Sequence, residues 1–351
     1  MQEPMSRLDN LSEFPIVSQT PLDVLGEDEL GTQDFFVRNH FEIPKIDIAI
    51  WRLTVGSTED DFNLYSYDDL LKFPAQSVDV AMECAGNSRS SVFPPCEGML
   101  WGHGGVGCVT WTGIPVKDIL RNIKTIPEGS EVLFLGEDEG RPHGTGSVER
   151  YGMSIPMDKA LDGETILAYK MNGNTLPNEH GYPVRLIVPG WYGMTSIKWV
   201  SEIRIVPSPH LGFYQDKYYV FVKDGPETQE PNARVDLIKV KSLITSLKRG
   251  QQIQSGKHII KGKAWSGYGK ITQVEFSFDN GKTWFNGEVD DSDSNYGWQV
   301  WRYTWNADVK GRYLVAVKAT DITGVSQPEQ FDWNFRGFAN NSIHTLPVEV
   351  V

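Results

Sequence analysis

Apolar and polar positions alternate along Ser77-Val78-Asp79-Val80-Ala81-Met82, the two-residue period of a strand with one buried face. Ala85-Gly86-Asn87 breaks the period and turns the backbone. Cys84 is therefore expected at the lip of a sheet, with Arg89 shortly after it. Upstream, residues 1–33 are acidic, rich in Ser, Pro and Asp, and without period, which reads as an extended arm. Phe35-Phe36-Val37-Arg38-Asn39-His40-Phe41 packs basic side chains between aromatics. A strand over Ile46 to Leu53 and a short helix opened by Ser66 lead into the Cys84 segment. After it the pattern predicts a Gly- and Pro-rich loop from Ser91 to Cys108, then a helix beginning near Gly113 with Pro115 in its first turn. Further on it predicts a buried strand Val132 to Gly136, an acidic turn Glu137 to Gly140 and a helix opened by Tyr151 to Ala160. A strand over Leu167 to Pro177 with an Asn172-Gly173 turn follows, then an aromatic, strand-like run Phe213 to Phe221.

The texture changes at Asp224-Gly225-Pro226-Glu227-Thr228-Gln229-Glu230-Pro231-Asn232, a linker by composition. Beyond it, short alternating stretches separated by turn signals recur over 258–265, 271–278, 284–289, 298–305 and 313–321. That spacing, with little helix, predicts an all-β sandwich of immunoglobulin type. The chain of 351 residues is long enough for two cores. It divides into an arm (1–33), an α+β domain of mixed sheets with helices (34–232) and the sandwich (235–351).

A net charge of −13 disfavours nucleic acid and anionic membrane surfaces as partners. No apolar run is long enough to span a bilayer. Met1 to Leu8 carries no apolar core and no twin arginine, so the expectation is a cytoplasmic protein, or a periplasmic one whose leader has been removed. The three cysteines, Cys84, Cys96 and Cys108, fit neither a zinc knuckle nor a C-x-x-C pair, and no C-x-x-C-H offers haem attachment. Gly102-His103-Gly104-Gly105-Val106-Gly107 is a literal G-x-G-x-x-G, but it follows a loop and precedes Cys-Val-Thr-Trp rather than a helix, so a dinucleotide site is rejected.

Glu83-Cys84-Ala85-Gly86-Asn87-Ser88-Arg89-Ser90 resembles the metal-ligand segment of the sulfite oxidase family. His180-Gly181-Tyr182-Pro183-Val184-Arg185 and Met194-Thr195-Ser196-Ile197-Lys198-Trp199 resemble its cofactor segments. Ala264-Trp265-Ser266-Gly267 and Asp279-Asn280-Gly281-Lys282-Thr283-Trp284 resemble its dimerisation domain. The likeness covers nearly all of the chain after residue 33. It implies a molybdenum–molybdopterin cofactor carrying an oxo group, with Cys84 the metal ligand, and no haem on this chain. Arg38, Asn39, His40, Asp138, His180, Arg185, Ser196, Ile197 and Lys198 would face the cofactor, and Arg38, Arg89, Trp101, Tyr219 and Arg302 the substrate. Tyr218 adjoins Tyr219 and is the other candidate for the active-site tyrosine.

Two-electron oxidation of a sulfur centre exceeds what side chains can do, so the cofactor carries the chemistry and the protein supplies ligation, orientation and charge. A thiolate is a soft ligand suited to such a metal. Guanidinium forks match an oxyanion and stay charged. The resemblance implies sulfite oxidation to sulfate by a homodimer, with electrons leaving to a cytochrome, a quinone or oxygen. Alternatives are a nitrate reductase-like or sulfane dehydrogenase-like enzyme of the same fold, or a cofactor-free binding module. Ser88 stands where the animal enzymes carry a second arginine.

Overall fold

The structure, a computed structural model, describes residues 6–57, 61–123, 126, 129–142, 145–223 and 233–351. The linker 224–232, with His143 and Gly144, lies outside the described residues. The alternation over 77–82 forms the strand Gln76–Glu83, antiparallel to Val106–Pro115 from Gln76↔Gly113 to Glu83↔Val106. Burial deepens along it, from alternating positions at its start to a fully buried Val80 to Glu83. The chain thus leaves this sheet at Cys84 inside the protein rather than at its surface. Val106–Pro115 pairs onward with Ile166–Met171, which also pairs Asn174–Thr175 and Arg185–Ile187. Asn172 (φ 47°) and Gly173 (φ 77°) make the tight turn their types favour. Gly113 permits the close sheet contact, since a Cβ there would lie 2.0 Å from the Leu167 carbonyl oxygen.

A second sheet runs in the order Phe62–Tyr65, Leu53–Gly56, Val200–Val206, Glu131–Gly140, Glu149–Pro156. Leu53, Val55, Phe134, Ile155 and Ile203 of this sheet share one core with Ala81, Ile114, Leu167 and Leu186 of the first. Helices are few and only four or five residues long, so the domain is mostly β. Ser66 opens its helix with a full capping box, its Oγ accepting from the Asp69 amide at 3.2 Å.

Several expectations are corrected. The arm is not irregular: Asp9–Glu13 and Ile16–Gln19 form a hairpin that pairs Val17 with Arg38 and so flanks a candidate site residue. The strand expected from Ile46 begins only at Leu53. The acidic residues 137–140 continue the strand Glu131–Gly140, because Glu139 and Gly140 find ladder partners in Arg150 and Glu149 beyond a bulge. Tyr151 to Pro156 is strand for the same reason, and the helix is confined to Met157–Leu161. Phe213 to Phe221 is not strand-like, because Tyr214–Tyr218 coils into a π-helical turn that packs its tyrosines edge-on against His40 and Phe338.

Residues 241–350 form two facing sheets. One runs Lys241–Ile244, Gly256–Trp265, Gln299–Ala307, Glu288–Val289, and the other Gln251–Ile253, His344–Val350, Gly311–Asp321, Ile271–Ser277, Phe285–Asn286. Ile260, Trp301 and Trp305 of the first bury against Val274, Phe276 and Val317 of the second. Two packed sheets are therefore present, built from the expected stretches with Lys241–Ile244, Gln251–Ile253 and His344–Val350 added. Among the described residues no helix is long and apolar enough to cross a membrane.

Candidate cofactor and active site

Cys84 directly follows the strand Gln76–Glu83 and lines a cavity between the two sheets. Burial pushes its thiol pKa up, against the pull of Arg38, the Gly86 amide and Arg89. Arg38, Asn39, His40, Asp138, His180, Arg185, Ser196, Lys198 and Tyr219 line the same space. These residues come from segments spread over 180 positions, and the fold brings them together around one sulfur.

Among the described residues, the cations here are held by carbonyl and amide oxygens and form no ion pair with a carboxylate. Arg185 is buried and donates to the carbonyls of His180 (3.0 Å) and Ser196 (3.1 Å) while lying 4.7 Å over the Trp111 ring. Burial lowers its pKa to about 9. Lys198 donates to Asn39 Oδ1 and to the Glu179 carbonyl at 2.8 Å, and burial followed by the Arg185 charge holds its pKa well below the usual lysine range. Burial raises the Asp138 carboxyl to about 7, against the attraction of Lys198. Asn39 Nδ2, Asp138 Oδ1 and Arg185 Nε are buried with no hydrogen-bond partner among the described residues. Unpaired buried polar atoms are costly. Donors, an acceptor and positive charge left open in one cavity fit an anionic, hydrogen-bonding heterocycle such as a phosphate-bearing pterin.

His40 and Tyr219 form the other pole. His40 Nε2 lies 2.7 Å from Tyr219 Oη, and the imidazole stacks on Tyr151 at 4.4 Å. Burial, then Arg38 and Lys198, keep His40 neutral by pushing its pKa well below the usual value. Burial raises Tyr219 well above the phenol range, so it retains its proton. Of the two candidate tyrosines it is Tyr219 that reaches the cavity; Tyr218 lies outside its lining.

Four expected residues are not brought to the cavity wall. Ile197 is core, 1% exposed. Trp101 is likewise 1% exposed and packs edge-on against Phe36, one layer behind. Arg89 is buried behind the turn, where its Nε donates to the Arg336 carbonyl at 2.7 Å and its Nη1 to the Met99 carbonyl at 2.6 Å. Gly86 and Gly98 make room for its guanidinium, where a Cβ at Gly86 would sit 2.6 Å from Arg89 Nη2, and Gly337 makes room for its stem. Arg302 points elsewhere: it pairs with Asp290 at 2.6 Å with its side chain 42% exposed. From the second domain, Arg336 lies 4.5 Å over the Tyr218 ring, outside the cavity lining, and its carbonyl accepts from Arg89 Nε. Sequence reading passed over it, although Phe335-Arg336-Gly337-Phe338 sets a base between aromatics just as residues 35–41 do.

Comparison with known proteins agrees with this geometry. Residues 40–214 match the oxidoreductase molybdopterin binding domain, and residues 233–351 the Mo-co oxidoreductase dimerisation domain. Mitochondrial sulfite oxidase of Rattus norvegicus is 32% identical over 373 residues, spanning 100% of this chain and 67% of its own. The Homo sapiens enzyme is 32% identical over 366 residues, spanning 97% and 65%. The chain thus covers about two thirds of the length of these relatives. NADH nitrate reductase 1 of Arabidopsis thaliana is 32% identical over 338 residues, 87% of this chain and 36% of its own. Among solved structures, the sulfane dehydrogenase SoxCD from Paracoccus pantotrophus superposes with a TM-score of 0.81 at 25% identity, covering 99% of this chain and 90% of that one. The chain belongs to the sulfite oxidase family of molybdopterin-binding oxidoreductases.

Proposed function

We propose that this protein oxidises sulfite to sulfate at a molybdenum ligated by Cys84 and passes the electrons to an external acceptor. The observation that carries the reading is the charge of the cavity. Arg38, Arg185 and Lys198 line it with Asp138 as the one carboxylate among its described lining residues, in a chain of net charge −13. A small dianion repelled by the molecule as a whole is attracted there. Sulfite and water yield sulfate, two protons and two electrons, and the bound cofactor supplies the two-electron acceptance and the oxygen transfer.

The chain's own residues do the rest. Burial opposes the Arg38 charge, yet its pKa stays raised, and a guanidinium keeps its proton throughout the working pH range, so it is a permanent anchor for the anion. Tyr219 offers a phenolic proton oriented by neutral His40. Asn39, Asp138, His180, Arg185, Ser196 and Lys198 hold the pterin through the donors and acceptors left open. Burial of Asn39, Asp138, His180, Arg185 and Ser196 limits competition from bulk water for these groups.

Sulfite-dependent reduction of ferricyanide by the molybdenum-loaded protein tests the reading, and nitrate-dependent oxidation of a reduced viologen without sulfite turnover would overturn it. A second reading is sulfane-sulfur dehydrogenation, favoured by the superposition over 99% of the chain. A persulfide donor run beside sulfite separates the two. Residues 233–351 also support a homodimer, so sedimentation at micromolar concentration is expected to give twice the 39.5 kDa chain mass, and a 39.5 kDa species would refute it.

A further inference from the structure

Glu83 closes the strand that delivers Cys84, and it is 1% exposed. A carboxylate buried beside a metal thiolate has to be held by donors. Lys241 Nζ reaches Glu83 Oε1 at 2.7 Å, with the two side chains 3% and 1% exposed. Trp265 Nε1 donates to Oε2 at 2.9 Å, and Asn87 Nδ2 to Oε1 at 2.9 Å. Lys241 and Trp265 belong to the sandwich, and Asn87 to the Cys84 turn itself.

The third donor passes the restraint on. Asn87 Oδ1 accepts from the Gly105 amide at 3.0 Å. The Gly105 carbonyl accepts from the Cys84 amide at 2.8 Å, and the Asn87 amide donates to the Cys84 carbonyl at 2.9 Å. A continuous set of hydrogen bonds therefore runs from Lys241 through Glu83, Asn87 and Gly105 to both backbone groups of Cys84. The sandwich grips the same turn twice more, through Ala339 N to the Ala85 carbonyl (2.8 Å) and Asn340 Nδ2 to the Ser88 carbonyl (3.0 Å). Ser88 needs such support, since at φ 71° it holds a left-handed conformation unfavourable for a residue with a side chain.

A buried ion pair adds little net stability over apolar packing, and what it supplies is a fixed geometry. We propose that Glu83, Lys241 and Trp265 are positioning residues through which the sandwich domain sets the position of the Cys84 sulfur. The proposal rests on the reading of Cys84 as metal ligand. It makes the second domain part of the catalytic apparatus, independently of any role in self-association.

Trp265→Phe removes one donor and keeps shape and charge, and Glu83→Gln with Lys241→Met removes both charges together. In the cofactor-free full-length chain, both are expected to speed amide hydrogen exchange of residues 84–88 about tenfold while exchange in the strands Ile271–Ser277 and Gly311–Asp321 stays unchanged. In the loaded protein, both are expected to shift the g-values of the pentavalent molybdenum resonance and lower kcat for sulfite with KM unchanged, since Arg38 is untouched. Unaltered exchange at 84–88 together with an unaltered resonance in both variants would overturn the proposal. Cys84→Ser run alongside isolates the underlying reading: if the resonance of that variant matches the parent, Cys84 is not the ligand, whatever the exchange result.

Discussion

In the proposed reaction Arg38 and Tyr219 would act on the same anion by different means, and single substitutions separate them. Arg38→Gln removes a charge-assisted contact worth roughly 1.5–3 kcal/mol, so KM for sulfite should rise about 10- to 100-fold in steady-state assays, with the circular dichroism spectrum retained. Tyr219→Phe leaves the ring packed on Phe338 (5.2 Å) but removes the hydroxyl that meets His40, so its main effect should be on kcat. Cys84, Arg38, His180 and Arg185 were legible in the sequence because each lies in a short motif whose residue types a sheet does not require. Arg302 is assigned to the substrate by resemblance alone, and its own position in the strand carries no such signal. The two-residue period decides otherwise: Trp301 is fully buried in the sandwich, so Arg302 points to the opposite face, where Asp290 meets it. Arg336 lies outside any strand, where no period marks its direction.

Strands were legible where alternation was clean, and lost where pairing alone makes them. Gln76–Glu83 and Gly256–Trp265 announce themselves, whereas Glu137 to Gly140 is acidic and reads as a turn until Glu149 and Arg150 supply partners. The aromatic run 213–221 carries no signal that separates strand from a π-helical turn, because its tyrosines bury on several sides. Close approach between strands gives a sharp test of the sandwich. A Cβ at Gly262 would lie 1.9 Å from the Leu243 carbonyl oxygen and 2.2 Å from the Trp301 ring. Gly262→Ala should therefore destabilise by about 1–3 kcal/mol in denaturant melts by overpacking. Ser66→Ala, which removes only a helix cap, should cost about 1 kcal/mol.

The two domains meet over a groove that holds a pair of histidines. His103 accompanies the Cys84 turn, its Nδ1 2.8 Å from Ser88 Oγ, and His344 opens the last strand, with the two ring centroids 4.6 Å apart. Burial, then Lys241, lowers His103 to about 4, and burial, then His103 and Lys241, drives His344 well below its usual value. With folded-state values depressed below the unfolded value of about 6.5, their contribution is complete above that pH and is lost as pH falls toward 4. Thermal melts between pH 7.5 and 4.5 should show this loss, up to about 3 kcal/mol from His103 alone, and His103→Gln should flatten the slope.

Whether the whole assembly serves a metal at Cys84 is decided by X-ray absorption at the molybdenum edge of the purified, loaded protein and its Cys84→Ser variant. One sulfur scatterer should disappear from the metal's nearest neighbours in the variant, with molybdenum and pterin content retained through Arg185, Lys198 and their companions. An identical sulfur count in the two proteins, or a parent that takes up no molybdenum when the cofactor is supplied, would contradict the account.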